Sequence, residues 1–321
     1  MRISMLAVAC AAVVASGTAW GGPAEAVSEA QEVIRSLGLE LDEAAAGEAA
    51  LAAVLRSADP GAKVWSAEEW SARESGGDGE ESGAEAETLP TGIGYVKIKR
   101  MDAAAAEAAE EALRGWAKDG SAGAVLDVRG VGGTDEEAVW RVARLFAPRN
   151  GSWWWKSTGA DGERTRKAEA GWAAAVGYPT MVLTDAGTTG AAELLAAAFG
   201  GSVKGGMTVG TRTAGDPLVR TAVELSGGRV ATMRSRTLET GDGRTYDGRD
   251  GVEPDVALSE AALAEVPEEA AEPAVSFRRT KKGVLDEEKE DKALRERVKE
   301  DAVLRRAVDV IQGLEALGFS R

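Results

Sequence analysis

No histidine occurs anywhere in the 321 residues. That one absence removes Ser-His-Asp and Cys-His nucleophile machinery, His-ligated zinc and any histidine pH switch. Cysteine is nearly absent as well, Cys10 being the only one, so no disulfide can form within the chain and packing alone must hold it. Basic charge is in deficit, with 38 Lys and Arg against 53 Asp and Glu and a net charge of -15. This balance runs against nucleic-acid binding, which rests on neutralising phosphates, and against a polybasic membrane patch. Past the N-terminus no segment approaches the roughly 20 apolar residues of a transmembrane helix. Neither a metal nor a cofactor is expected, since nothing resembles a nucleotide-binding signature.

The N-terminus has more to say. Met1 to Ala15 carries one early positive charge, Arg2, and then a short apolar run, followed by the small residues Ser16, Gly17 and Ala19. This is the layout of a secretory signal peptide. It is expected over residues 1–21, with cleavage near Ala19 to Gly21 and an exported chain, periplasmic or secreted. Two other readings stay open, a buried N-terminal helix and lipoprotein anchoring at Cys10. The apolar run before Cys10 is short for an anchor.

A helical lead-in is predicted over 24–72. Val27, Ala30, Val33, Ile34 and Leu37 fall at helical spacing before Gly38, and a second run carries Leu51, Val54 and Leu55 before Asp59-Pro60-Gly61. Residues 73–90 are dominated by Gly, Ser and Glu and read as an acidic flexible linker. From Gly92 the pattern turns α/β. Val96 and Ile98 alternate with Lys97 and Lys99 in a strand, and Asp102 caps a helix ended by Asp119-Gly120. Apolar runs at Gly123–Val128 and Thr180–Leu183 suit buried parallel strands. Thr134 with Glu137 reads as a capping box. Strands follow at Val219–Leu225 and Val230–Ser235. Residues 261–321 form a charged helical extension ending in an amphipathic helix from Asp301.

Asp185-Ala-Gly-Thr-Thr-Gly190-Ala-Ala-Glu193 resembles the nucleophile segment of the carboxy-terminal processing (tail-specific) peptidases, peptidase family S41. That family usually reads Gly-Ser-Ala-Ser-Ala-Ser-Glu here, with the serine three residues before the Glu, and Gly190 holds that place. Ile93-Gly-Tyr-Val, Gly123-Ala-Val-Leu-Asp-Val-Arg129 with Gly132-Gly133, and Gly251-Val-Glu-Pro-Asp255 resemble further family motifs in the family's order. The resemblance implies a ClpP/crotonase-like mixed α/β core over 91–260. It also implies a PDZ domain ahead of that core in most members, for which fewer than about 20 linker residues leave no room.

The resemblance implies a Ser-Lys dyad with a Gln four residues after the Lys. Here the base position is Asp216 and the Gln position Arg220. Glycine offers no nucleophile, and arginine stays protonated and cannot serve as a base. An Asp216–Arg220 ion pair is expected in place of the Lys-Gln hydrogen bond. The glycine turn Gly132-Gly133 and the Ala191 amide correspond to an oxyanion hole that could still hold a peptide carbonyl or terminal carboxylate. The reading is therefore a non-catalytic exported protein whose partners are peptide or protein C-terminal tails or other envelope proteins. Two rivals stand beside it. One is a displaced Thr188 or Thr189 nucleophile with Lys204 as base, against both threonines serving as helix caps. The other, on fold analogy alone, is a crotonase-like acyl-thioester binder. Trp153-Trp-Trp155 reads either as a ligand platform or as strand aromatics covering the core.

Overall fold

The computed structural model describes residues 22–74, 83–147, 153–169, 175–259 and 296–319. The chain divides into two compact units, Met1–Val64 and Trp65–Arg321. The first contains α1 (Pro23–Ser36) and α2 (Glu43–Ala58). Proline opens α1 where its missing N–H costs nothing, and Gly38 at φ +67° closes it with Leu39 N donating to Ile34 O at 3.2 Å. Asp42 caps α2 by accepting from Ala45 N at 3.0 Å. Neither helix has a buried residue. The lead-in is not helical throughout, because Lys63–Trp65 is extended as β1 before α3 (Ala67–Glu74).

A six-stranded sheet organises the second unit. Its strands are β2 (Ala84–Thr88), β3 (Gly94–Ile98), β4 (Ala124–Asp127), β7 (Thr180–Thr184), β8 (Gly206–Gly210) and β13 (Val256–Ala257). They lie in the order β13-β8-β7-β4-β3-β2. All neighbours pair in parallel except β2, which runs antiparallel along β3. This corrects the linker expected over 73–90: its last residues are an edge strand, anchored by buried Leu89. Ala-Glu-Ala-Glu-Thr has little intrinsic strand preference, and pairing with β3 decides the matter. The first two residues of that expected linker, 73 and 74, belong to α3, and residues 75–82 lie outside the described residues.

One sheet face carries α4 (Ala103–Asp119), α5 (Glu136–Ala143) and α6 (Gly190–Ser202). Asp102 caps α4 by accepting from Ala105 N, and Gly120 ends it at φ +76°, as read from the sequence. The cap of α5 is Asp135, one residue later than the expected Thr134, with its carboxylate accepting from Glu137 N and Ala138 N. Every residue of α6 is buried. That explains its small, apolar sequence: it has no wet face.

The opposite face is covered by α7 (Ala302–Ala316), which buries Val303, Leu304, Ala307, Val308 and Ile311 against Ile93, Tyr95, Val125, Met181, Leu183 and Val209. The helix begins at Asp301 as expected, and Asp301 both caps α7 and fastens it to the sheet. Arg129 Nη1 and Nη2 reach the two Asp301 oxygens at 3.0 and 2.6 Å. The same guanidinium bonds Asp127 at 2.9 and 2.7 Å. The extension expected ahead of residue 296 lies outside the described residues. A four-stranded antiparallel sheet, in the order β12-β11-β5-β6, adds β5 (Trp153–Gly159), β6 (Gly162–Lys167), β11 (Arg236–Thr240) and β12 (Thr245–Tyr246). The strands β9 (Arg220–Glu224) and β10 (Val230–Arg234) form an antiparallel hairpin.

Candidate active site

Three segments meet at the N-terminus of α6, each leaving the C-terminal end of a parallel strand, where such folds gather their functional loops. The turn after β7 is knotted by two side chains. Asp185 Oδ1 accepts from Gly130 N at 2.8 Å and Gly187 N at 2.9 Å. Buried Thr188 donates its hydroxyl to Val128 O at 2.9 Å and accepts from Asp185 N at 3.1 Å. Backbone bonds then join the turn to both neighbours. Thr189 N reaches Val131 O at 2.9 Å, Ala191 N reaches Gly133 O at 2.8 Å, and Gly190 N reaches Asp216 O at 2.8 Å.

Gly190, Gly133, Ala191 and Asp216 are thus brought together, but not as an oxyanion hole. The Ala191 amide is already satisfied by the Gly133 carbonyl, so the expected donor faces an acceptor of its own chain. On the same turn the Gly132 carbonyl accepts from Met101 N at 3.1 Å. A side chain at 190 has no room. Gly190 sits at φ +58°, and a Cβ built there would lie 2.2 Å from Gly133 O. Of the expected oxyanion donors, the Ala191 amide is thus not free to meet a carbonyl, because two glycines let the backbones approach each other closely.

The loop that carries Asp216 is held from below by Glu193, fully buried on α6. Its carboxylate accepts from Gly215 N at 2.8 Å, Asp216 N at 2.7 Å and the Thr213 hydroxyl. Burial pushes the Glu193 pKa up, against the pull of Thr213 and the two amides. The sequence motif assigns Glu193 no role in holding this loop; an acidic residue inside an otherwise apolar helix is the one signal that points to it.

Asp216 and Arg220 form the expected pair, Nε to Oδ2 at 3.8 Å, with both side chains mostly buried. The pair does not lie on a helix. Leu218, at φ +57°, turns the chain into β9, and Arg220 also donates to Gly248 O at 3.1 Å. The displaced dyad is not assembled. Lys204 follows the C-terminus of α6, and Thr188 and Thr189 precede its N-terminus; the helix has 13 residues, about 20 Å at ~1.5 Å each. The capping role expected of these threonines is corrected too. Thr189 occupies the N-cap position without a side-chain cap bond, and Thr188 ties the turn to Val128 instead.

Trp154 and Trp155 are buried and meet Trp140 edge to face at 6.5 and 5.8 Å. Trp155 Nε1 donates to Glu136 at 3.2 Å. They cover the core and offer no ligand platform; the side chain of Trp153 lies outside the described residues. Among the described residues, no three His, Cys, Asp or Glu side chains are grouped to hold a metal ion. No described helix is long and apolar enough to cross a membrane.

A parallel-stranded α/β core with a strand-turn-helix elbow at Asp185–Ala191, faced by a glycine turn and a base loop, is the build of a serine-peptidase-type domain. The family model of peptidase family S41 matches residues 92–258, and the chain belongs to that family. It is similar to the chloroplastic C-terminal processing peptidase of Tetradesmus obliquus, 33% identical over 187 residues, covering 57% of this chain and 39% of the relative. It is also similar to the carboxy-terminal processing protease CtpA of Bacillus subtilis, 29% identical over 176 residues, covering 54% and 37%. The chain therefore spans about two fifths of the length of these relatives. Among solved structures, a peptidase from Parabacteroides merdae aligns with a TM-score of 0.50 at 15% identity, covering 73% of this chain and 83% of that one. This last likeness speaks for the fold alone.

Proposed function

We propose that this chain is a catalytically silent S41 domain, exported and lacking a PDZ domain, that holds polypeptide tails or scaffolds envelope proteins instead of cutting them. The observation that carries the reading is Gly190, where a Cβ would fall 2.2 Å from Gly133 O. The reading draws further support from Asp216 at the base position and from the Ala191 amide, spent on Gly133 O. An oxyanion hole and substrate binding can sustain some turnover without a nucleophile. Here the Ala191 amide, one of the donors such a hole would use, is spent on the Gly133 carbonyl, which weakens that residual route and counts equally against the carbonyl site of an acyl-thioester binder. Export draws its support from the signal-like layout of residues 1–21 and is checked by sequencing the N-terminus of the protein recovered outside the cytoplasm.

The test is incubation of the purified chain with an unstructured protein, reading its C-terminus by mass spectrometry. No tail-dependent cleavage is expected. Cleavage that disappears in Thr188→Ala or Thr189→Ala would sink the reading. Restoring residue types alone is also expected to fail. A Gly190→Ser, Asp216→Lys, Arg220→Gln triple variant should stay inactive, because the serine would displace the Gly133 carbonyl. Efficient proteolysis by that variant would show the elbow to be open.

A further inference from the structure

If the elbow is closed, a polypeptide must be held elsewhere, and the sheet offers an edge. Among the described residues, strand β2 pairs on one side only, with β3. Two bonds phase its ladder, Leu89 N to Ile93 O at 2.8 Å and Lys99 N to Gly83 O at 3.1 Å. Antiparallel ladders alternate bonded and non-bonded pairs. Glu87 opposite Tyr95 and Glu85 opposite Lys97 are therefore the bonded pairs. Ala84, Ala86 and Thr88 turn their N–H and C=O groups outward, and among the described residues these groups meet no backbone partner.

Beside this edge lies a cavity of about 390 Å³ whose wall includes Ala86, Tyr95, Lys97 and Arg297. The Arg297 guanidinium lies over the Tyr95 ring, 4.7 Å from its centroid, and pairs with Glu87. Its Nε is shielded from solvent and has no hydrogen-bond partner among the described residues. Lys97 Nζ lies 3.3 Å from Asp127, and its side chain is 36% exposed.

We propose that β2 is a docking edge for an extended polypeptide tail, which adds as a strand along Ala84–Thr88 and seats its terminal carboxylate between Arg297 and Lys97. The outward backbone groups supply affinity that is blind to sequence, and the cavity selects the chain end. The Arg297 side chain is 42% exposed, so a carboxylate can meet its guanidinium in a charge-assisted bond. Glu85 and Glu87 do not make the cavity anionic, because Lys99 and Arg297 already neutralise them. The proposal deepens the reading above and rests on it in one respect, that the partner is a polypeptide tail.

Fluorescence anisotropy of the full chain, with a labelled alternating Val-Thr-Lys peptide as probe, tests it against the same peptide ending in an amide. The free acid should bind saturably, and the amide about tenfold or more weakly, the size of one charged hydrogen bond. Ala86→Pro should abolish binding of both. That N–H lies outside the ladder, so the sheet tolerates the proline, which a thermal melt checks. Arg297→Gln should lower the acid to the affinity of the amide and leave the amide unchanged. Equal binding of acid and amide, indifference to Ala86→Pro, or no saturable binding by the wild type would overturn the proposal. Peptide integrity is followed by mass spectrometry in the same samples. Cleavage there removes the silent-domain reading without touching the docking edge, so the two failures are told apart.

Discussion

A side chain at position 190 would have to solve two problems at once. It would adopt the left-handed backbone of Gly190, φ +58°, which costs about 1–2 kcal/mol for an L-residue. It would also push away the Gly133 carbonyl, which accepts from Ala191 N at 2.8 Å. Gly190→Ala and Gly190→Ser should therefore destabilise alike, by about 2–4 kcal/mol, the range of backbone strain plus overpacking. Urea unfolding checks this. A serine variant as stable as the wild type would mean that the glycine turn moves aside freely. Glu193 is the other sensitive residue. Truncation to alanine strands the Thr213 hydroxyl and the amides of Gly215 and Asp216, and should cost about 3 kcal/mol or more, since buried donors without acceptors forfeit their desolvation. That Gly190, Asp216 and Arg220 would lie close together was legible from motif order, and the structure brings them together. The closure was not, since it depends on which way the Gly132 and Gly133 carbonyls point, and two glycines permit either direction.

Among the elements, β7, its turn and α6 were readable because a buried strand and a fully buried helix announce themselves as apolar runs. β2 was not. Its alternating alanines and glutamates sit in an acidic stretch, and only the register with β3 makes them a strand. α7 falls between these cases. Its amphipathic pattern and its start at Asp301 were visible, but the tie from Asp301 to the sheet was hidden, because Arg129 lies far away in sequence. Asp301→Ala removes acceptors for Val303 N and Leu304 N together with the paired contact to Arg129. The cap alone is worth ~1 kcal/mol, and the charged hydrogen bonds add about 1–2 more at this half-buried site. A loss of about 2–3 kcal/mol is expected, measured by urea unfolding. Conservative replacement by asparagine should recover the cap portion but not the rest. Full recovery by asparagine would show that the Arg129 contact contributes nothing.

At the scale of the whole molecule, buried carboxyl groups pull stability in opposite directions as pH changes. Burial raises Asp127, but hydrogen bonds and charge from Arg129, with Lys97 and Tyr95, outweigh it and hold its pKa below the ordinary value. Burial also raises Glu110, and Arg141, Arg114 and Arg144 reverse it in the same way. A depressed folded pKa gives stability that is present above the ordinary carboxyl range and is lost as pH falls through the folded value. Glu193 behaves oppositely, because burial lifts it above the ordinary value. Its contribution is full below the ordinary carboxyl range and is lost as pH rises through its raised folded pKa. Self-repulsion in a chain of net charge -15 works in the same direction as Glu193, growing as carboxylates ionise. The thermal midpoint should therefore peak at mildly acidic pH and fall on both sides. Glu193→Gln, which keeps the carboxyl shape without its ionisation, should flatten the limb toward neutral pH. Asp127→Asn should flatten the acid limb from a lower starting point. Added salt should lift the neutral limb in both the wild type and Glu193→Gln by screening the surface charge. If Glu193→Gln leaves the neutral limb as steep as before, surface repulsion alone accounts for it, and the buried clamp beneath the Asp216 loop does not titrate in that range.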